Sequence, residues 1–128
     1  MQSTACGDVS AAAIGRFPFP SEREITLAVR NSNYSLGPVM LHLKMRPGSV
    51  IPAHIHDGVA EVLYIVEGGF MNEGRPHAVG TSLHVKAGQS HGPHSTKNGC
   101  TLLVLWSDKG AIQNANLDDF KVTTPVEA

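Results

Sequence analysis

Two cysteines, Cys6 and Cys100, are all this 128-residue chain offers. A pair so placed, one in a tail and one opening a strand, makes no disulfide framework, so a reducing cytoplasm is the expected compartment. Long apolar runs are also missing. The longest, Val62–Val66 and Thr101–Trp106, fall far short of the ~20 residues that cross a bilayer, so no membrane association is expected. No basic leader precedes an apolar stretch at the N-terminus, which argues against a signal peptide. The Asn33-Tyr34-Ser35 sequon then reads as a coincidence. Charge of one sign is not in surplus either. Lys+Arg is 10 against Asp+Glu 11, for a net charge of −1, and the basic residues are scattered, so no nucleic-acid partner is expected. There is no internal repeat, linker or low-complexity segment. The chain therefore reads as one domain over residues 1–128, able to bury roughly two-thirds of its unfolded surface.

What is present is a succession of short strand signals closed by turn residues, the pattern of a sandwich or barrel. Val39, Leu41, Leu43 and Met45 alternate with Met40, His42, Lys44 and Arg46 and stop at Pro47-Gly48. Ala60–Val66 is apolar except for Glu61 and ends at Gly68-Gly69. Phe70–Asn72 is expected to pair with His77–Val79 across the turn at residues 73–76. Leu83 and Val85 alternate with His84 and Lys86 ahead of Gly88. Asn98-Gly99 predicts a hairpin between residues 91–96 and 100–106. Residues 1–35 read as an extended N-terminal arm with the first strands, 36–107 as the barrel core, and 108–128 as a C-terminal segment. Within the last, 114–121 reads as a short helix or a covering strand. The expected fold is all-β.

Two blocks carry the chemistry. The first runs Gly48-x5-His54-x-His56-x4-Glu61-x6-Gly68, and the second Gly80-x7-Gly88-x2-His91. Histidines at i and i+2 of a strand share a face about 6–7 Å apart at the backbone, so their ring nitrogens can converge on one ion. A carboxylate and a third imidazole from neighbouring strands complete a donor set suited to Fe, Mn, Ni, Cu or Zn. Glu61 strengthens this reading, because an unpaired carboxylate inside an apolar run is costly. The spacing points to one divalent metal held by His54, His56, Glu61 and His91.

These blocks resemble the paired motifs of the cupin superfamily. Residues 47–68, PGSVIPAHIHDGVAEVLYIVEG, fit G-x5-HxH-x3,4-E-x6-G at every specified position. Residues 80–95, GTSLHVKAGQSHGPHS, fit G-x5-PxG-x2-H-x3-N with Lys86 in place of proline and Ser95 in place of asparagine. The resemblance implies a double-stranded β-helix, or jelly-roll, barrel with His54, His56, Glu61 and His91 as ligands. The short inter-motif stretch and the run GGFMNEGRPHAVGTSLHVKAGQSHGPHSTKNGCTLL are similar to ChrR-like cupins. That subgroup resembles both the sensory cupin of zinc-binding anti-sigma factors and small iron dioxygenases that cleave β-diketones and hydroxyacetophenones. Some of the latter bind metal through histidines without the glutamate. The region before the strand at Val39 lacks a zinc-finger pattern, which argues against a complete anti-sigma regulator. A homodimer is implied by the resemblance, with the Pro-rich stretch at residues 16–21 a candidate to cross to the partner.

Three neutral imidazoles and a carboxylate around a divalent ion leave a local charge of about +1 and open positions for a ligand. An enolate, diketonate or hydroxyketone complements that charge. The expected function is therefore a metal-dependent dioxygenase of a small oxygenated substrate, iron first among the candidate metals. A non-redox isomerase, lyase or decarboxylase and a non-catalytic sensor are the alternatives. Glu61 and His94 are the candidate catalytic groups: the first as a base within reach of substrate, the second because it follows His91 by three residues. His42 and His84 read as structural histidines, and His77, Arg46 and Lys86 as solvated. Tyr64 and Trp106 read as core or cavity wall, and Cys100 as a small buried hydrophobe. Gly88-x-Ser90-x-Gly92 matches a nucleophile elbow, but that motif needs a strand-to-helix turn on a parallel sheet.

Overall fold

Alternation in the sequence becomes alternation of burial in the computed structural model, which describes residues 13–15, 25–31, 38–107, 112–113, 116–117 and 120–123. The strands are β1 (Ala13–Gly15), β2 (Ile25–Val29), β3 (Val39–Met45), β4 (Val50–Ile51), β5 (His54–His56), β6 (Glu61–Gly68) and β7 (Phe70–Asn72). They continue as β8 (Arg75–His77), β9 (Ser82–Val85), β10 (His94–Ser95), β11 (Cys100–Trp106), β12 (Ile112–Gln113), β13 (Asn116–Leu117) and β14 (Phe120–Val122). No helix occurs among the described residues. One sheet runs β1-β2-β3-β11-β6-β9, a second runs β4-β10-β7-β8, and β14 pairs with β5 and β12 with β13. Neighbouring strands pair antiparallel throughout.

Register sets which side chains share the inner face. Leu27, Leu43, Leu102 and Ile65 lie opposite one another across β2, β3, β11 and β6. The next row is Val29, Leu41, Val104, Leu63 and Leu83, and the third is Val39, Trp106, Glu61 and Val85. Ile51 and Phe70 from the second sheet and Phe120 from β14 join these rows in one buried cluster. Burying each such aliphatic side chain is worth about 1.5–3 kcal/mol, so the two-residue period fixes the face of every strand. The result is an all-β barrel with its core between the two sheets and the β5–β14 pair beside it. Glu61 is the one carboxylate the described rows turn inward.

The motif glycines Gly48, Gly68, Gly80 and Gly88 all have positive φ, as turn positions require. Gly68 carries a second constraint. A register shift on β6 opposite Thr101 and Leu102 brings Gly68 across from Cys100, and a Cβ there would stand 2.3 Å from Gly99 O and 2.6 Å from Cys100 Cα. Both obstacles are backbone. Gly48 has the same φ of +84 with nothing within 4 Å. Gly68→Ala is therefore expected to cost at least ~3 kcal/mol and Gly48→Ala only ~1 kcal/mol, read from urea unfolding. Equal costs would show that the close approach to Cys100 does not matter.

Several sequence expectations shift. β7 pairs with Arg75–His77 rather than 77–79, with Asn72 opposite Arg75. Glu73 and Gly74 both take positive φ, so the turn is a tight two-residue one that draws the strand forward. Pro76 is tolerated because β8 is an edge. Asn98-Gly99 does not close a hairpin: β10 pairs with β4 and β7, whereas β11 pairs with β3 and β6. Thr96 Oγ1 donates to Gly69 O at 2.6 Å and accepts from Gly99 N–H at 2.9 Å, which ties this turn to the β6–β7 corner and carries the chain between sheets. Tyr64 is 42% exposed, on the outer face of β6, so it is neither core nor cavity wall. The 114–121 stretch contributes strand, and Phe120 covers the core. The Pro-rich stretch at 16–21, the Asn33 sequon and Cys6 lie outside the described residues.

Candidate metal centre

His54 and His56 point inward from β5 at 2% exposure each, while Ile55 between them is half-buried on the other face. The second block is held against the first by the pairing of β9 with β6 and by further backbone bonds at the donors. His54 and His91 exchange backbone hydrogen bonds at 2.9 Å in both directions, and Gly88 N–H donates to His56 O at 2.8 Å. Glu61 enters from the start of β6 and His94 from β10, both buried. All five side chains come together. They form two overlapping donor groups, His56–Glu61–His91 and His54–His91–His94, each with its ligand atoms within 4.8 Å of one another.

Fixed partners orient the rings. His54 Nδ1 lies 2.7 Å from Pro52 O, which can only accept, so Nδ1 carries the hydrogen and Nε2 is left with its lone pair. Trp106 Nε1–H donates to Glu61 Oε1 at 2.8 Å. Glu61 Oε2 stands 3.3 Å from His91 Nε2, and Glu61 Oε1 stands 3.7 Å from His56 Nε2. His94 Nε2 lies 3.1 Å from His91 Nδ1. Phe120 stacks on His54, ring centroids 3.9 Å apart.

Burial disfavours charge in this cluster. Desolvation pushes His54 down to about 3, with His56 and His94 adding and the Pro52 carbonyl opposing. His91 falls to about 2 through burial and the neighbouring His54, His94 and His56, and His94 to about 4 through burial and His56. Burial raises Glu61 to about 7 against the Trp106 hydrogen bond. With His91 unprotonated, its contact with Glu61 is not an ion pair. Glu61 Oε2 and His91 Nε2 face each other without a hydrogen-bond partner. An unpaired buried polar atom costs about 1–3 kcal/mol, and a divalent cation answers both atoms at once. Imidazole nitrogen and carboxylate oxygen are the donors that Fe, Mn, Ni, Cu and Zn accept. The residues fit a metal.

Beside the cluster lies a cavity of about 20 Å3, walled by His54, His56, Glu61 and His94 on one side and by Leu27, Leu43, Leu102 and Phe120 among the apolar residues. That is room for a molecule the size of water. Trp106 belongs to its wall, as the sequence suggested. Its bond to Glu61 and the Phe120 stack were not legible, since each depends on register between distant strands.

The remaining side chains lie elsewhere. His42 is half-buried, its Nδ1 3.0 Å from an Arg30 guanidinium nitrogen, and burial and that charge lower its pKa. His84 is exposed and bonded to Ser82 Oγ at 3.0 Å. His77 is half-buried on β8, and Arg46 and Lys86 are exposed. Ser90 is exposed in the β9–β10 connection beside Thr123, so no nucleophile elbow forms. Cys100 is buried and free.

Known structures share this architecture. The polyketide cyclase RemF from Streptomyces resistomycificus superposes with a TM-score of 0.67 at 18% identity, covering 99% of this chain and 89% of its own. An RmlC-like cupin protein from Ralstonia eutropha gives 0.65 at 19% identity, over 83% of this chain and 69% of its own. The anti-sigma ChrR of Rhodobacter sphaeroides, solved in complex with SigE, gives 0.53 at 18% identity, over 66% of this chain and 45% of its own. At these identities the likeness shows the fold alone. No curated protein matches the sequence. The family model of the ChrR cupin-like domain matches residues 16–108, which span both histidine blocks and the strands that bring them together, and the chain thereby belongs to the ChrR cupin-like family.

Proposed function

We propose that the chain is a metal-dependent cupin enzyme, a dioxygenase of a small enolisable diketone or hydroxyketone, with one divalent ion held by His54, His56, Glu61 and His91. The observation that carries this reading is the buried donor cluster with unpartnered Glu61 Oε2 and His91 Nε2 beside an apolar cavity. When bound, the metal supplies Lewis acidity and, for iron, manganese or copper, one-electron chemistry with O2. The protein's part is to keep the His54 and His91 imidazoles unprotonated down to low pH and to exclude water with Leu27, Leu43, Leu102 and Phe120. Glu61, on leaving the metal, takes the substrate's proton as the enolate forms, and the Trp106 N–H keeps its carboxylate aimed. Because the cavity is so small, a substrate enters by moving a wall. Phe120, stacked on His54 from strand β14, is the wall proposed to move. A homodimer goes with this reading, as the family resemblance implies, and the cysteine usage fits a reducing cytoplasm.

A second reading, a metal sensor without turnover, is favoured by the family itself, since one structural relative is an anti-sigma protein bound to its sigma factor. Metal content by mass spectrometry, followed by oxygen uptake with 2,4-pentanedione and hydroxyacetophenones, separates the two. The expected result is stoichiometric iron, manganese, nickel or copper with substrate-dependent O2 consumption. Stoichiometric zinc without uptake would move the conclusion to the sensor or to a non-redox isomerase, lyase or decarboxylase.

A further inference from the structure

The two ring nitrogens of His91 face different groups: Nε2 lies 3.3 Å from Glu61 Oε2, and Nδ1 lies 3.1 Å from His94 Nε2. A neutral imidazole has one N–H and one lone pair. With the lone pair of Nε2 kept for a metal, the hydrogen of His91 sits on Nδ1 and is donated to His94 Nε2. His94 Nε2 must then be an acceptor, which places the hydrogen of His94 on its own Nδ1. That Nδ1 is buried without a partner, on a side chain 2% exposed that lines the cavity. The ring is held in place: β4 and β7 pair with β10 on either side, and Phe70 lies against it at 5.2 Å between centroids. A locked donor left unsatisfied beside a cavity is a recognition element.

We infer that His94 is both the positioning residue for His91, fixing the tautomer that presents Nε2, and the hydrogen-bond donor, through Nδ1–H, to an oxygen of a small chelating ligand in the cavity. This deepens the metal-enzyme reading and rests on it. The competing acceptor is Asn72, directly opposite His94 on β7, whose Oδ1 is also buried and unpartnered.

Cobalt(II) loading measured by competition with a chelator, then titration of the cobalt form with 2,4-pentanedione, reads the two roles separately. His94→Phe keeps the ring's bulk and removes both polar functions. It is expected to weaken cobalt ~10–100-fold, as loss of a ligand's outer partner does, and pentanedione binding by about tenfold. His94→Gln offers an acceptor and a donor from one planar group and is expected to restore both to within about threefold. Asn72→Ala is expected to leave pentanedione affinity within about twofold. Wild-type pentanedione affinity in His94→Phe, or the same loss in Asn72→Ala, would overturn the assignment while leaving the metal site intact. A wild-type protein that takes up no cobalt would overturn the metal reading and this inference together.

Discussion

His91→Ala is expected to lower metal affinity by at least ~1000-fold while leaving the barrel folded. Even removing an outer hydrogen-bond partner of a ligand costs ~10–100-fold, and His91 is the only residue present in both donor groups. His54→Ala and His56→Ala each remove one ligand of the same ion, so a comparable loss is expected from each. Folding survives because the contacts that dock the second block, the β9–β6 pairing and the reciprocal His54–His91 bonds, are backbone to backbone and need no imidazole. What the truncation does leave is a void and an unpartnered His94 Nε2, together worth a few kcal/mol. Isothermal titration with zinc or cobalt, with far-ultraviolet circular dichroism on the same samples, checks both halves. Full metal occupancy in a folded His91→Ala protein would mean that the ion is held elsewhere.

The parts of this arrangement that sequence made legible are those with a local cause. The period-two alternation on β3 gave its inner face residue by residue, and the His-x-His spacing on β5 put two rings on one side. Glu61 stood out because a carboxylate in an apolar run has to be answered by something, and the structure sets it in the inward row beside Trp106. The failures share a different cause. Asn98-Gly99 specifies that the chain turns there, but not which strands the two arms then join, and Thr96 and Gly69 decide that from another part of the sequence. Tyr64 lies in a run that reads as buried throughout, but one face of β6 is outward and the register with β11 chooses it. Phe120 could be placed as covering, yet its stack on His54 follows from the pairing of β14 with β5, which no short-range signal announces.

Acid is expected to unfold the metal-free protein steeply below pH 6.5. The folded-state values of His54, His91 and His94, about 3, 2 and 4, lie below the ordinary 6.5, so the unfolded chain binds protons that the native cluster refuses. Their contribution to stability is complete above pH 6.5 and is lost as pH falls towards those values. Glu61 acts in the opposite sense. Its value near 7 lies above the ordinary 4.5, so its contribution is complete at low pH and fades as pH rises through 7. Between 4.5 and 6.5 the three histidine protons outweigh the single glutamate proton by two, a slope of roughly 3 kcal/mol per pH unit. Against a total stability of ~5–15 kcal/mol, one or two units are enough to unfold the protein. Glu61→Gln removes the opposing proton and still accepts the Trp106 N–H, so its metal-free form is expected to show a steeper slope and more stability than wild type above pH 7. Urea midpoints from pH 4.5 to 8 measure both. A flat profile would mean that the histidines are not desolvated. An unchanged slope in Glu61→Gln would mean that Glu61 is already ionised in the empty cluster, leaving it no proton to give up to an incoming metal.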